Sequence, residues 1–430
     1  MAEGDIAVLN TCTVTATADA EVRQVIRRIR RLNPQCRILV TGCYAQRAPQ
    51  EIAALDGVAW VVGNSHKHRL LEVLESEIPS GPAVARLGSP ATARREPPAG
   101  SRAPVAAPDL ASQPRRDVWA GEIDREFHFA PAVPDDRTRP TLKVQDGCDA
   151  RCAFCVIPFV RGPSRSLPPD RVINAVQELV QQGFKEVVLS GINLGRYGRD
   201  LGRTIDFLGL LQRILEETPV ARVRISSIEP MDVTPPLMRL VARENRLADH
   251  FHVPLQSGSD RILRLMNRRY WSSQYADRIL AIREALPQAG IGADVMTGFP
   301  GETDQDHCAS TELINRLPFT YLHIFPYSVR PDTAAAARPE QVNGRVAHER
   351  ARELRGLIAK KRQAFLEAQI GRTLSVLTLA DQTGLASTAI TSNYLPVSLE
   401  NSTLPANRLV EVEIARVAGG SLHGYPARTA

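Results

Sequence analysis

Three cysteines stand within eight residues, Cys148-Asp-Ala-Arg-Cys152-Ala-Phe-Cys155, directly after a short run that reads as a strand. Three thiolates at this spacing can wrap one cuboidal 4Fe–4S cluster. With only three, one iron lacks a protein ligand and stays open to the amine and carboxylate of S-adenosylmethionine (SAM). A low-potential cluster in that state can pass one electron into the sulfonium and release a 5′-deoxyadenosyl radical. The competing use is structural zinc, which wants four ligands. No fourth cysteine or histidine is near in sequence, the closest histidines being His128 and His250. Three thiols also cannot all pair as disulfides.

Two further cysteines sit at chemically useful places. Asp5 to Leu9 reads as a strand ending in Asn10-Thr11-Cys12, and Arg37 to Thr41 as a strand ending in Gly42-Cys43. Between them, Asp19 to Leu32 carries Val22, Val25, Ile26 and Ile29 on one face and arginines on the other, the pattern of an amphipathic helix, and Pro34 stops it. Cys12 and Cys43 therefore follow the C-terminal ends of strands in a βαβ unit, the edge where open α/β sheets bind ligands.

The elements that must carry the Cys148 loop are repetitive. Strand-like runs occur at Thr141–Gln145, Glu186–Leu189, Arg222–Ser226, His250–Pro254, Gly290–Val295 and Thr320–Ile324, with helical patterns between them such as Asp170–Gln182, Ile205–Leu215 and Gln274–Ala285. Six alternating units predict a parallel sheet with helices outside, as an open partial (βα)6 barrel with its chemistry at the C-terminal ends of the strands. There, Gly191 and Asn193 follow the second strand, Glu229 the third, and Gln256 and Ser257 the fourth. Gly298, Pro300 and Gly301 form either a tight turn or a contact to the SAM adenine. Cys308 is expected to be an inert buried thiol on a helix. Val346 to Gln369 reads as a basic helix, with Arg350, Arg352, Arg355, Lys360, Lys361 and Arg362 forming either a solvated face or an RNA contact. After Gly371 the pattern becomes short alternating runs, Leu374–Leu379, Leu395–Leu399, Leu409–Ile414 and Leu422–Tyr425, as in a small β-barrel or sandwich.

The chain of 430 residues allows about three domains. With 43% hydrophobic and 23% charged residues, most of it is a folding sequence. The exception is 79–117, which holds eight prolines between Pro79 and Arg116 and reads as a mobile linker. The expected domains are thus 1–78, the linker 79–117, 118–370 and 371–430. A net charge of +6 tolerates a polyanionic partner without demanding one. Seven cysteines, no secretory signal at Met1-Ala2-Glu3-Gly4-Asp5 and no long apolar run fit a cytoplasmic protein with reduced thiols and no membrane span.

The flanking motifs resemble the radical SAM methylthiotransferases. They are Lys143-Val-Gln-Asp-Gly-Cys148, Ile157-Pro-Phe-Val-Arg-Gly-Pro-Ser-Arg-Ser166, Ser190-Gly-Ile-Asn-Leu-Gly195, Ser226-Ser-Ile-Glu-Pro230, Pro254-Leu-Gln-Ser-Gly-Ser259, Met266-Asn-Arg268 and Gly298-Phe-Pro-Gly-Glu302. Asn10-Thr-Cys-Thr-Val14 and Thr41-Gly-Cys-Tyr-Ala45 extend the likeness to the first domain, and the last 60 residues resemble a TRAM domain. Ala18-Asp19 and His323-Ile-Phe-Pro-Tyr-Ser328 are most similar to the MtaB-type branch. The resemblance implies an N-terminal α/β methylthiotransferase domain, a radical SAM partial barrel and a TRAM-like β domain. It also implies insertion of a methylthio group at C2 of N6-threonylcarbamoyladenosine beside the tRNA anticodon, with SAM, a reducing electron donor protein and two 4Fe–4S clusters. Cys148, Cys152 and Cys155 would hold one cluster, and Gly191, Asn193, Glu229, Gln256 and Ser257 would contact SAM.

The second, auxiliary cluster takes three cysteine ligands in that family. Cys12 and Cys43 match the second and third, while the first belongs to an earlier strand and loop without a counterpart here. A start set downstream of the natural one or a fragment, a short form with a defective site, and replacement by Cys36 are the three readings. Cys36 precedes the strand that ends at Cys43, about 20 Å away, which is out of a cluster's reach. Loss of an upstream strand would also leave an unpaired sheet edge. The last domain is neutral, with four arginines against four acids from 371 to 430, so RNA contact there falls to shape or to stacking on Tyr394 and Tyr425. The alternatives are methylthiolation of a ribosomal protein, SAM cleavage without sulfur insertion, and a purely RNA-binding role.

Overall fold

A computed structural model describes residues 6–75, 117–128, 138–380, 385–400 and 404–427. The chain forms two compact units, residues 1–125 with 159–162, and 126–158 with 163–430. Apart from Asp117, the segment read as a linker lies outside the described residues.

The first unit is built on a parallel sheet in the order Ile6–Thr11, Arg37–Gly42, Val58–Gly63, Asp117–Trp119. Its central strands are apolar, and Ile38, Leu39, Val40, Val61 and Val62 are completely buried. Helix Ala16–Leu32 crosses over between the first two strands. The Thr15 side chain caps it by accepting from Ala18 N–H, and Arg30 and Arg31 sit in its last turn, where they complement the helix dipole. Asp117–Trp119 was assigned by sequence to the linker end and the start of the barrel. It pairs instead with Trp60–Val62 and completes this sheet. Among the described residues Ile6–Thr11 is the opposite edge, with Ile6 and Val8 exposed.

The second unit holds six parallel strands in two sets of three. Thr141–Lys143, Glu186–Ser190 and Arg222–Ile225 form one, and His250–His252, Gly290–Thr297 and Tyr321–Pro326 the other. Single bridges, Val223 to Leu247 and Ser227 to His252, join the sets. Helices Pro169–Gln181, Phe207–Glu217, Ser272–Ala285 and Asp304–Arg316 bury their apolar faces against the strands in one continuous core. This is the expected partial (βα)6 barrel. The first strand is shorter than expected. After Lys143 the chain turns, and Gln145–Asp146 pairs antiparallel with Arg165–Ser166. The cysteine loop is thus the connection of a two-stranded clip at the C-terminal end of the barrel.

Helix Gly344–Glu367 follows the last barrel strand. Part of its basic character is structural. Arg350 is buried and pairs with Glu302 and Asp304 at 2.7 Å each, Arg355 donates to Ile324 O, and Lys361 donates to Asn315 O. The chain ends in a closed five-stranded barrel, ordered Thr373–Leu379, Thr388–Thr391, Pro396–Leu399, Ser421–Pro426, Leu409–Ala418, which fits the TRAM-like expectation. Thr388–Thr391 escapes a hydrophobicity reading because only Ala389 and Ile390 in it are apolar. Cys308 corrects another expectation. It lies on helix Asp304–Arg316 but is exposed, because His307, Ser310, Leu313 and Ile314 take the inward face. Among the described residues no helix is long and apolar enough to cross a membrane.

Candidate active site

The strand clip fixes the start of the cysteine loop. Gln145 is completely buried, and its Nε2 donates to the carbonyls of Asp146 and Gly147 and to Ser164 Oγ. Its Oε1 accepts from Asn193 N–H at 2.7 Å, which ties the ends of the first and second strands together. Gly147 then takes φ +70°, a turn only glycine makes without strain, and delivers Cys148. Asp146 Oδ1 caps that turn by accepting from Gly147 N–H.

Each described contact of the three sulfurs is made by a donor. Cys148 Sγ accepts from Ala150 N–H at 3.4 Å and faces Asn193 Nδ2 at 4.0 Å. Cys152 Sγ accepts from Arg268 Nη1 at 3.4 Å, and the Cys152 carbonyl accepts from Cys155 N–H. As free thiols Cys148 and Cys155 resist ionisation, because burial raises Cys148 and pushes Cys155 up to about 12. Bound iron reverses this, since a coordinating thiol is deprotonated outright. Three half-buried thiols in one loop, with N–H donors aimed at sulfur, suit an iron–sulfur cluster with one open iron better than a closed four-ligand zinc site.

Beside Cys152 is a cavity of about 200 Å³, lined by Asn193, Glu229 and Arg268 among others. Arg268 is nearly buried, pairs with Glu229, and donates to Tyr270 Oη at 3.2 Å. Burial works against its charge, but Tyr270, Glu229 and Cys152 outweigh it and hold the guanidinium above its ordinary pKa. Arg268 ends the Met266-Asn-Arg268 motif, and residue order alone gives it no role. The signal was a basic residue just past the fourth strand's helix, which becomes legible only when the strands bring it to Cys152.

The residues expected to contact SAM divide. Asn193 and Glu229 line the cavity, and Asn193 Oδ1 is buried without a hydrogen-bond partner. Gln256 holds φ +65°, and its Oε1 is also buried and unpartnered. Strain and an orphaned polar atom at one residue are features that concentrate at ligand sites. Gly191 is required for packing: a Cβ there would stand 2.8 Å from Leu194 Cδ2 and 3.0 Å from Gln145. Ser257 is fully buried, its hydroxyl engaged with Ser310 Oγ and Ser259 N–H, so it holds its loop. Gly298 to Glu302 is a tight turn. Gly298 has φ +72°, and Glu302 accepts from Gly298 N–H while pairing with Arg350.

In the first unit, Thr11 and Gly42 are register partners on adjacent parallel strands, so Cys12 and Cys43 leave the sheet side by side. Cys43 Sγ accepts from Arg161 Nε at 3.2 Å and from Asn64 Nδ2 at 3.5 Å, and Cys12 Sγ from Val14 N–H at 3.4 Å. Cys36 is buried in the apolar core of this unit, at the far end of its strand. Deeper in the barrel, ligand atoms of His252, Asp294 and His323 all lie within 4.8 Å of one another. Burial pulls the Asp294 carboxyl up, but the two imidazoles outweigh it and hold it well below the usual range.

Comparison with known proteins agrees with this geometry. Residues 142–314 match the Radical SAM superfamily, and residues 1–63 match the Uncharacterized protein family UPF0004. The chain is 38% identical over 399 residues to the threonylcarbamoyladenosine tRNA methylthiotransferase MtaB of Aquifex aeolicus, covering 92% of this chain and 88% of that one. The Bacillus subtilis protein of the same name is 36% identical, covering 98% and 86%. The tRNA-2-methylthio-N(6)-dimethylallyladenosine synthase of Pelotomaculum thermopropionicum is 32% identical, covering 87% and 78%. Among solved structures, the radical SAM methyltransferase TsrM of Kitasatospora setae matches with a TM-score of 0.52 at 17% identity, over 78% of this chain and 64% of that one, a likeness of fold.

Proposed function

The chain belongs to the radical SAM methylthiotransferase family, and from that premise we propose that it inserts a methylthio group at C2 of N6-threonylcarbamoyladenosine beside the anticodon of tRNA. The observation that carries this reading is the Cys148–Cys152–Cys155 cradle in a chain that is 38% identical, over 92% of its length, to a relative named for that nucleoside. Cys148, Cys152 and Cys155 hold the SAM-binding 4Fe–4S cluster. Bound there, that group supplies the one-electron reduction that cleaves SAM. Cys12 and Cys43 are ligands of the auxiliary cluster.

The remaining work falls to the protein's own side chains. Asn193 and Glu229 present an acceptor and a carboxylate to the amine end of SAM, and Gln256 presents a second acceptor. Gly191 and Ser257 act one layer out, by letting Gln145 pack and by fixing the loop that carries Gln256. Arg268 pairs with Glu229 and holds it in place, and it donates to Cys152 sulfur. A hydrogen bond to a ligand sulfur tunes a cluster's potential. The electron comes from a low-potential reducing protein, and the enzyme works in the cytoplasm, where thiols stay reduced.

Reconstituted protein, SAM, a strong reductant and tRNA carrying N6-threonylcarbamoyladenosine test this directly. The expected result is a methylthio derivative of that nucleoside after digestion, with 5′-deoxyadenosine formed alongside. Tight cluster loading without any methylthio nucleoside overturns the reading. A methylthiolated peptide with untouched tRNA points to the ribosomal-protein alternative.

A further inference from the structure

A second cavity, about 510 Å³, lies in the lumen of the partial barrel, within the range of small-ligand pockets. Successive residues of a strand point to opposite faces. His250 and His252 therefore share the lumen face, while Phe251 between them enters the core. Tyr321 and His323 line the same cavity from the sixth strand. Its floor is closed by the C-terminal β-barrel, which contributes Tyr394.

Three observations point to a polar, anionic ligand. The first is charge. No carboxylate lines the cavity, and beneath it Glu186 is approached by Arg224 at 2.8 Å and by Arg139 and Arg222 at 3.5 Å each. Asp249 and Asp294 also lie outside the lining, Asp294 at 3.3 Å from both His252 and His323, so Arg139 and Arg224 line the cavity without a carboxylate beside them in its wall. Arg224 is fully engaged, because it also donates to the carbonyls of Thr391 and Ser392. Arg139 is more open, with its side chain 24% exposed.

The second is orphaned polarity. Ser226 Oγ and His250 Nδ1 are buried without hydrogen-bond partners, and both residues line this one cavity, whereas His252 Nε2 faces Asp294 Oδ1 at 3.3 Å. A buried polar atom left unpaired is costly, so two in one place mark where a ligand's polar groups belong. The third is a strained wall. Tyr394 holds φ +69°, a conformation costly for a residue with a Cβ. That strain seats its ring 4.6 Å from His250, 5.8 Å from Tyr321 and 5.9 Å from the Arg139 guanidinium.

We propose that this cavity takes the anionic amino-acid arm on N6 of the target adenosine, with the arm's carboxylate paired to Arg139 between the Tyr321 and Tyr394 rings. The proposal rests on the substrate reading above and adds the residues that recognise the arm. Its length fits. A carbamoyl-threonine arm is about two residue units, roughly 7 Å extended, and three strand residues from Ser227 back to Arg224 span about 10 Å. A base held near Ser227 and His252 can thus lower its carboxylate to the floor while Ser226 Oγ and His250 Nδ1 meet the urea-like linkage.

The test compares two anticodon stem-loops, one carrying the threonyl acid and one the neutral threoninamide, bound to the full-length, cluster-loaded protein. Phosphate contacts are common to both and cancel. Wild type should prefer the acid by about tenfold or more, the scale of a hydrogen bond to a charged group. Arg139→Gln should abolish the preference while binding the amide unchanged. Tyr394→Asn tolerates the left-handed backbone and should weaken both. Iron content and 5′-deoxyadenosine formation confirm that each variant folds. Equal wild-type affinity for the two RNAs, or a preference that survives Arg139→Gln, overturns the proposal. Both are binding results and hold whatever the turnover assay shows, whereas absence of a methylthio product counts against the substrate reading alone.

Discussion

The two cysteine sites are built by opposite strategies. Cys148, Cys152 and Cys155 come from one eight-residue loop, so once the strand clip forms they are together. Cys12 and Cys43 are separated by 31 positions and leave the sheet on neighbouring strands only because Thr11 and Gly42 are register partners in a parallel sheet. Each site nevertheless ends on the same device, an arginine donating to a ligand sulfur: Arg268 to Cys152 and Arg161 to Cys43. A local site needs little beyond its own loop, whereas an assembled site is only as good as the sheet that aligns it.

The sharpest way to break this comparison is to remove one sulfur from each side. Cys152→Ala should abolish both 5′-deoxyadenosine and methylthio product, and lower iron by about four ions per chain. Cys43→Ala should abolish the methylthio product while SAM cleavage continues. Nucleoside and 5′-deoxyadenosine assays on the same samples separate the two. If Cys43→Ala also stops SAM cleavage, the sites are not independent.

Removing the donors has smaller effects. Arg268→Met leaves Glu229, whose side chain is 30% exposed, without its partner. It should cost about 2–3 kcal/mol of stability after allowance for that exposure, and reduce SAM cleavage by about 10- to 100-fold. Arg161→Met should lower methylthio product by about tenfold and leave SAM cleavage alone. Equal effects of both variants on SAM cleavage would contradict the division of labour.

The smallest effect is a pH dependence confined to the barrel. Burial holds the His250 imidazole well below its ordinary pKa, with Arg224 and His252 adding to the effect. Below about pH 6.5 the unfolded chain therefore takes up a proton that the folded chain refuses. Stability contributed by neutral His250 is full above that pH and falls as pH drops, by up to about 1.4 kcal/mol per unit. Unfolding midpoints at pH 7.5 and 5.5 should differ more in wild type than in His250→Asn. A midpoint that rises on acidification would reverse the assignment.

Much of this was legible because periodicity and local spacing are strong signals. The six barrel strands, helix Ala16–Leu32 and the cysteine loop could be placed from residue order alone. What was missed depends on tertiary neighbours. Gln145 and Arg268 look like ordinary polar residues until the strand ends converge on them. Ser257 follows the fourth strand as expected, and only the fold brings Ser310 to its hydroxyl. Asp117–Trp119 is too short to announce itself, and only the open side of Val58–Gly63 makes it a strand. Cys308 shows that a thiol inside a helical pattern does not reveal which face it takes.

The floor of the lumen has a consequence for synthesis. Arg224 completes its hydrogen bonds on the carbonyls of Thr391 and Ser392, which lie 167 and 168 positions later in the chain. At the usual pace of translation that interval lasts roughly 10–30 s. Throughout it, a nascent barrel carries an arginine that has Glu186 as a partner but lacks its two later acceptors. The C-terminal β-barrel is therefore the part that finishes this floor, so the partial barrel reaches its final form only after the chain has been made as far as Ser392.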